Sequence, residues 1–585
     1  MISNTSETAQ ESVESSVPPK RTVHLFLTLL AILLGLGRAW AGRHSMNPDG
    51  VSYLDIGDAW ARGDWNAALN GYWSPLYPWL LGFGLKILRP SAAWEFPVVH
   101  AINFGIYLVS LGAFVFFWSG VMAYAKRGLG PWQQPGTVAL PDSAWVLLGY
   151  VIFLISSLEY IGLTVVSPDL CLSAFVYLAT GLGIRIRGTR ASWRMYFALG
   201  LAFGLAYLTK PAMLMLSVVF LACNCTMKDG VWTMVRRLST AALGFALVAG
   251  PYIVALSRHQ GHVTASEAGP LAYAWVVNRV PFLHWSDLKD YGRPIHPSKK
   301  IFETPAAYEF ENIGQATYPG WYDPARWLAG VEPRFNLRQQ LVALKTDSQI
   351  LLDLCLSRFN VALISGVIAL YLFYGGWRDA LGGVRANWSM LVPSLAAVAV
   401  FWLVWIESRY IGPFAALFWG GVLLGVRVPD SEVRSKVPAR LAAAVAVVTF
   451  ATIAVSTASD MDLVGTNPPV HWQVANYLKK IGVHEGDRVG SIGRVLQCGW
   501  ARLARVHIAA EIPHESEVDF LMADNELKAR ALRSLFATGV KVIVADHREA
   551  AGCDSGWQDA DRSGFYVCRA GAAGSGPAWH GRGRP

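Results

Sequence analysis

The chain has 585 residues, of which 53% are hydrophobic and 16% charged, with a mean hydropathy of +0.33 and a net charge of +9. Soluble domains are about 25% charged, whereas apolar runs of about 20 residues, long enough to cross a bilayer as a helix, recur here. The basic residues lie mostly in short connections between these runs, as membrane topology requires. This composition excludes a soluble enzyme, a disordered protein and a nucleic-acid-binding domain, and it predicts an α-helical polytopic membrane protein.

The predicted elements begin with a polar leader, 1–21, which we expect to be a cytoplasmic tail, and a first apolar span, 22–41. Ala39-Trp40-Ala41 resembles a signal-peptide cleavage site, but the acidic leader and the many later spans favour an uncleaved anchor. The later apolar runs are 96–124, 144–163, 170–186, 195–208, 212–225, 238–256, 360–377, 389–406, 410–426 and 441–456. Together they predict about 11 transmembrane helices.

The orientation follows from the basic connections, which alternate along the chain and are placed in the cytoplasm. If residues 73–88 crossed the membrane, the orientation of every later span would be inverted. We therefore expect a juxtamembrane helix in the outer interface, where its Trp and Tyr residues fit. The membrane domain is then 22–456, with outer loops 42–95 and 257–358. Residues 457–585 follow it on the extracytoplasmic side.

The C-terminal segment alternates between predicted strands and helices. The strands are expected at 487–493, 506–512, 541–545 and 565–568, and the helices at 471–480 and 526–538. This alternation predicts a small α/β extracytoplasmic domain. The outer loop 257–358 is rich in Pro, Trp and Tyr without a sustained period, and we expect it to fold over the outer face.

Seven cysteines are too few for a disulfide scaffold. Cys498, Cys553 and Cys568 lie in the C-terminal segment, where an oxidising compartment would allow one pair and leave one thiol over. The sequence does not choose the pair. It has no CxxC or HExxH motif, so a thiolate metal site is not expected.

The first candidate catalytic residue is Asp49, in Asn47-Pro48-Asp49-Gly50 just beyond the first span. A carboxylate at this place can meet a membrane-embedded substrate and act as a general base or a metal ligand. The alternative is an ordinary turn, since this residue order suits one. A second carboxylate, Asp169, is expected to begin a span, where it could also be only a helix cap.

Two cations are expected on the same outer face as these carboxylates. Lys210 and Arg409 are both predicted at helix N-termini, where the helix dipole disfavours positive charge. Ionised groups near the hydrocarbon edge are costly and usually functional. The alternatives are snorkelling to lipid headgroups or pairing with Glu407. Two such cations beside two carboxylates favour a shared anionic ligand, for which a lipid-linked phosphate fits.

Several short motifs then resemble, in order, the GT-C membrane glycosyltransferases of the protein-mannosyltransferase and aminoarabinose-transferase type. They are Asp49…Tyr53…Ala59…Gly63-Asp64, Ser74-Pro75-Leu76-Tyr77-Pro78, Ser167-Pro168-Asp169, Gly204-Leu205-Ala206-Tyr207-Leu208-Thr209-Lys210-Pro211 and Arg409-Tyr410…Pro413. The resemblance implies a polyprenyl-phosphate-linked sugar donor bound from the outer leaflet of the plasma (inner) membrane. It also implies an envelope glycan, lipid or protein acceptor on the same side.

By this resemblance Asp49 and Asp169 are catalytic carboxylates, and Lys210, Arg409 and Tyr410 bind the donor phosphate. Asp49 would also be the ligand of a divalent metal ion, although many family members carry a second acidic residue where this chain has Gly50. Transfer is expected to be an inverting single displacement. The competing hypotheses are a transporter or flippase of a lipid-linked or anionic solute, which more often carries charges near the midplane, and a receptor or scaffold.

Overall fold

The computed structural model describes residues 20–127, 137–188, 192–224, 230–311, 314–374, 382, 385, 387–429, 432–462, 469–546 and 556–569. Most of the predicted cytoplasmic tail and Cys553 therefore lie outside the described residues. Cys498 and Cys568 are free, buried thiols. The described chain combines a bundle of apolar helices with a mixed sheet built largely from its C-terminal part.

Every predicted span coincides with a helix. These helices are α1 (Lys20–Ala41), α5 (Glu95–Lys126), α6 (Asp142–Leu154, continued by a π-helical turn Ile155–Ile161), α7 (Asp169–Gly188), α8 (Trp193–Thr209), α9 (Met213–Asn224), α10 (Val231–Gln260), α15 (Arg358–Tyr374), α16 (Trp388–Trp402), α17 (Ser408–Leu423) and α18 (Glu432–Asp462). The polytopic helical class is thus confirmed.

The number of full-length spans is smaller than the predicted number. Six of the described helices are long and apolar enough to cross a membrane, or up to seven if the pair Leu337–Cys355 and Arg358–Leu372, bent by 71°, is one span. The other predicted spans are shorter helices, down to 12 residues in α9. At 1.5 Å per residue such a helix covers about 18 Å of a hydrocarbon core about 30 Å thick.

The loop 42–95, which was predicted to be an outer loop, folds into short helices beside the bundle. They are α2 (Pro48–Arg62), α3 (Trp65–Ala68) and α4 (Leu76–Leu88). The expected juxtamembrane segment is α4, an apolar helix of 13 residues that is too short to cross. A Cβ atom on Gly82 would lie 2.3 Å from the Gly57 carbonyl oxygen. Glycine at these two positions therefore lets α2 and α4 pack backbone to backbone.

The long loop contains α11 (Ala268–Val276), α12 (Pro319–Tyr322), α13 (Pro324–Trp327) and α14 (Leu337–Cys355). It also supplies two strands, β2 (Lys299–Phe302) and β3 (Ala307–Glu309), which had not been predicted. Strand β3 pairs with the C-terminal part of the chain, with Tyr308 opposite Glu511. The long loop and the C-terminal segment therefore form one sheet.

The six predicted C-terminal elements are present, together with short helices and a strand that had not been predicted. In chain order the elements are α19 (Val470–Lys480), β5 (Arg488–Gly493), α20 (Gly499–Ala504), β6 (His507–Pro513), α21 (His514–Met522), α22 (Asn525–Ala537), β7 (Val542–Ala545), β8 (Trp557–Asp559) and β9 (Tyr566–Arg569). The two short helices α20 and α21 and the strand β8 are the elements that had not been predicted. The sheet order is β2-β3-β6-β5-β7-β9-β8, with β5 parallel to β6 and β7. A separate pair joins β1 (Thr137–Ala139) to β4 (Arg427–Pro429).

Candidate functional site

The five residues predicted for the site come from four separate helix ends. Asp49 lies in the first turn of α2, and Asp169 is the first residue of α7. Arg409 and Tyr410 lie in the first turn of α17, as predicted. Lys210 differs from the prediction, because it is the C-cap of α8 and only precedes α9. The dipole of α8 therefore favours the Lys210 charge, while that of α9, which begins three residues later, opposes it. Only at Arg409 does a helix dipole oppose the charge without such compensation.

Ion pairs bring these residues into one cluster. Lys210 Nζ lies 2.6 Å from Asp169 Oδ1, and Arg409 Nη2 lies 3.2 Å from Asp49 Oδ2. Arg409 Nε is 4.0 Å from Asp169 Oδ2 and also pairs with Glu407, the N-cap of α17. The cluster thus holds two cations among three carboxylates. The pairing of Arg409 with Glu407, which the sequence offered as an alternative explanation for this charge, is part of the cluster.

The members of the cluster differ in exposure. The Asp169 side chain is 1% exposed, and its Oδ2 atom is buried without a hydrogen-bond partner. Asp49 and Arg409 are each 17% exposed and Glu407 is 29% exposed. The cations are therefore partly exposed, Lys210 at 15% and Arg409 at 17%, while the Asp169 carboxylate that pairs with Lys210 is buried.

Tyr410 lies against both cations through its ring. Lys210 Nζ is 3.4 Å from the ring centroid, and the Arg409 guanidinium carbon is 5.2 Å from it. Cations over an aromatic face are stabilised by the ring quadrupole. The structure thus places Tyr410 as a platform for the cations, and direct binding of a phosphate by its hydroxyl remains a prediction.

Asp49 has a second partner that sequence reasoning missed. Trp321 Nε1 donates to Asp49 Oδ1 at 3.1 Å across 272 residues of chain. Burial raises the pKa of Asp49, while Arg409 and the Trp321 hydrogen bond lower it, and burial has the larger effect. The Trp- and Tyr-rich composition of the long loop was the only signal for Trp321, and it could not indicate which aromatic residue reaches the site.

The described residues show no preformed site for a resident metal ion. Both Asp49 oxygens already accept hydrogen bonds, Oδ1 from Trp321 and Oδ2 from Arg409. Within the described ranges no group of three or more His, Cys, Asp or Glu side chains is arranged to hold one. The divalent ion implied by the resemblance stays a prediction.

Comparison with solved structures gives the fold. ArnT from Cupriavidus metallidurans bound to undecaprenyl phosphate matches with a TM-score of 0.50 and 13% identity, over 95% of this chain and 100% of that one. The Archaeoglobus fulgidus oligosaccharyltransferase in its apo form matches with a TM-score of 0.48 and 13% identity, over 90% and 70%. No protein-family model and no curated protein matches. The resemblance drawn from the motifs is confirmed at the level of the fold.

Proposed function

We propose that this protein is a membrane glycosyltransferase that moves a sugar from a polyprenyl-phosphate-linked donor to an acceptor on the extracytoplasmic side. The observation that carries the proposal is the convergence of Lys210 and Arg409 with Asp49 and Asp169 at one partly exposed place. The shared fold supports it, because the ArnT structure was solved with undecaprenyl phosphate bound.

The donor phosphate would bind to hydrogen-bond donors that the ion pairs leave available. Lys210 has three N–H donors and uses one on Asp169. The contacts from Arg409 to Asp49, at 3.2 and 3.3 Å, are longer than the 2.7–2.9 Å typical of charge-assisted hydrogen bonds. A phosphate can therefore take these guanidinium N–H groups, and in doing so it releases an Asp49 oxygen.

The released Asp49 would act as the general base. It would take the proton of an acceptor hydroxyl or amine while the acceptor attacks the anomeric carbon. The bond from that carbon to the phosphate oxygen breaks, and polyprenyl phosphate leaves.

The raised pKa of Asp49 moves the group toward working pH and makes it a stronger base. The departing phosphate needs cationic stabilisation rather than a proton, which Lys210 and Arg409 supply. A single displacement inverts the anomeric carbon.

A transfer assay tests this function. The purified protein is reconstituted with lipid-labelled undecaprenyl-phosphate sugars and a crude envelope fraction as acceptor, and the labelled lipid is analysed. We expect acceptor-dependent formation of undecaprenyl phosphate. Movement of intact donor between leaflets, without cleavage of the sugar–phosphate bond, would instead identify a transporter and contradict the proposal.

The fold supports a multi-pass membrane protein, and we propose that it lies in the plasma membrane with 457–585 outside the cytoplasm. The sidedness rests on the alternating basic connections. A reporter active only in the cytoplasm and fused after Pro585 should therefore be silent, whereas the same reporter fused before Lys20 should be active. Cytoplasmic activity of the C-terminal fusion would overturn the sidedness of the whole site.

A further inference from the structure

A short segment of the long loop, 317–321, forms hydrogen bonds with one face of α2. Asp49, Ser52 and Asp55 are spaced three residues apart and so lie on neighbouring turns. Trp321 donates to Asp49 through its indole, and its carbonyl accepts from the Ser52 hydroxyl at 2.9 Å. Thr317 donates to Asp55 twice, from its backbone N–H at 2.8 Å and its hydroxyl at 2.9 Å. The segment thus follows α2 from Asp55 to Asp49.

Asp55 also belongs to a second ion cluster, which connects α2 to the C-terminal α/β region. Arg502, in α20, donates to Asp55 Oδ1 at 2.8 Å and to Glu95 Oε1 at 2.7 Å. Its Nη2 lies 2.7 Å from Asp58 Oδ2 and forms an ion pair there without a hydrogen bond. Arg505 completes the cluster with contacts of 3.0 Å to Asp58 and 2.6 Å to Glu95.

The centre of the cluster is buried, and its edge is partly exposed at Asp58 (24%) and Arg505 (35%). The side chains of Arg502, Asp55 and Glu95 are 3%, 3% and 1% exposed. Desolvating such a set is costly, and well-packed apolar residues are often at least as stable. Stability is therefore a weak explanation for it. The geometry explains more, because a planar guanidinium that contacts carboxylates on α2 and at the start of α5 fixes their relative orientation.

The same α/β region holds the other side of the loop segment. Strand β6 donates from Ile508 N–H to the Thr317 carbonyl at 3.0 Å. His507 Nδ1 lies 2.7 Å from the Ala316 carbonyl oxygen. Thr317 therefore lies between β6 and Asp55, four residues before the tryptophan that contacts Asp49.

We propose that Arg502, Asp55 and Thr317 are positioning residues, which hold Trp321 and α2 so that Asp49 faces the reacting centre. The C-terminal α/β region would then control turnover without contributing an atom to the site. The inference rests on the proposed function, because it assigns a purpose to the orientation of the proposed base.

The mildest variant that tests the inference is Thr317→Val, which keeps the shape and backbone N–H of the residue but removes its hydroxyl donor. We expect kcat to fall by about 10-fold, since small misplacement of a reacting group is costly. The affinity for undecaprenyl phosphate should stay unchanged, because Lys210 and Arg409 are not altered. Thr317→Ser keeps the hydroxyl and should restore kcat. Thr346→Val, on an exposed helical threonine, is the matched control and should change nothing.

Arg502→Lys is the stronger variant, since an ammonium cannot replace the planar fork that contacts several carboxylates. We expect a larger loss of kcat at unchanged phosphate affinity, and faster hydrogen–deuterium exchange in peptides covering 48–62. The control is Arg293→Lys, at a side chain that is 83% exposed. If Arg502→Lys does not fold, Thr317→Val alone decides the outcome.

Two results would overturn the inference. One is unchanged kcat in folded Thr317→Val, and the other is a parallel loss of kcat, phosphate affinity and thermal stability, which indicates a purely structural cluster. Failure of the proposed function looks different. In that case the parent protein itself would not cleave the sugar–phosphate bond of the donor, whereas an inactive Asp49→Asn beside a fully active Thr317→Val would reject the positioning residues alone.

Discussion

Replacing Asp49 by Asn is expected to lower turnover by about 10²-fold or more, the range typical of a removed general base. Asn keeps the size of the side chain and can still accept from Trp321, so α2 should keep its place. Lys210 and Arg409 remain, and the affinity for undecaprenyl phosphate should therefore be nearly that of the parent protein. The loss should appear in kcat rather than in donor binding.

The matched control is Asp64→Asn in the same outer loop. Asp64 caps α3 by accepting from the Ala67 N–H at 3.1 Å, and Asn caps helices about as well. Turnover of this variant should equal that of the parent protein. If Asp49→Asn also retained turnover within a few-fold, Asp49 would be the ordinary turn residue of the alternative interpretation, and the base would have to be sought elsewhere.

The sequence predicted most helices and the C-terminal strands because their signals are local. Apolar runs predicted every span as a helix, and alternation predicted β5, β6, β7 and β9 within a residue or two. The predicted number of membrane crossings was less accurate. Hydropathy detects that a helix is apolar, but it gives the length of that helix less well. Strands β2 and β3, with four and three residues, are too short to show alternation, and their pairing with β6 depends on tertiary contacts.

The site was predicted in part, for a related reason. Charged residues at the ends of apolar runs are conspicuous, and this is why Asp49, Asp169, Lys210 and Arg409 could be named in advance. Their convergence is a property of helix packing. Trp321 and Arg502 could not be found, because the first is one of many aromatic residues in its loop and the second lies in an ordinary polar segment.

Removing the charge of Lys210 or Arg409 is expected to weaken binding of polyprenyl phosphate by about 10- to 100-fold each, because a hydrogen bond to a charged group contributes about 1.5–3 kcal/mol. The structure favours Gln over Ala as the replacement. Asp169 is buried, and one of its oxygens already has no hydrogen-bond partner. Ala at position 210 would therefore remove the donor to the other oxygen as well. Gln at position 210 keeps a donor for it.

Further variants separate phosphate binding from general effects of charge. The double variant of Lys210 and Arg409 should lose less than the sum of the single losses if both side chains bind one phosphate, since neighbouring groups couple. Arg409→Lys should recover affinity only in part, because an ammonium lacks the planar fork. Lys86→Gln is the matched control, since Lys86 is an exposed outer-loop lysine that donates to the Ala61 carbonyl.

The measurement that tests the central claim most directly is equilibrium binding of sugar-free undecaprenyl phosphate to the purified full-length protein in lipid nanodiscs. The parent protein is compared with Lys210→Gln, Arg409→Gln and Lys86→Gln, each first shown to be folded by its thermal transition. We expect saturable binding that falls about 10- to 100-fold in the first two variants and is unchanged in the third. Unchanged affinity in both Lys210→Gln and Arg409→Gln would contradict the account, because the two cations would then serve the ion-pair cluster or the lipid interface and not a donor phosphate.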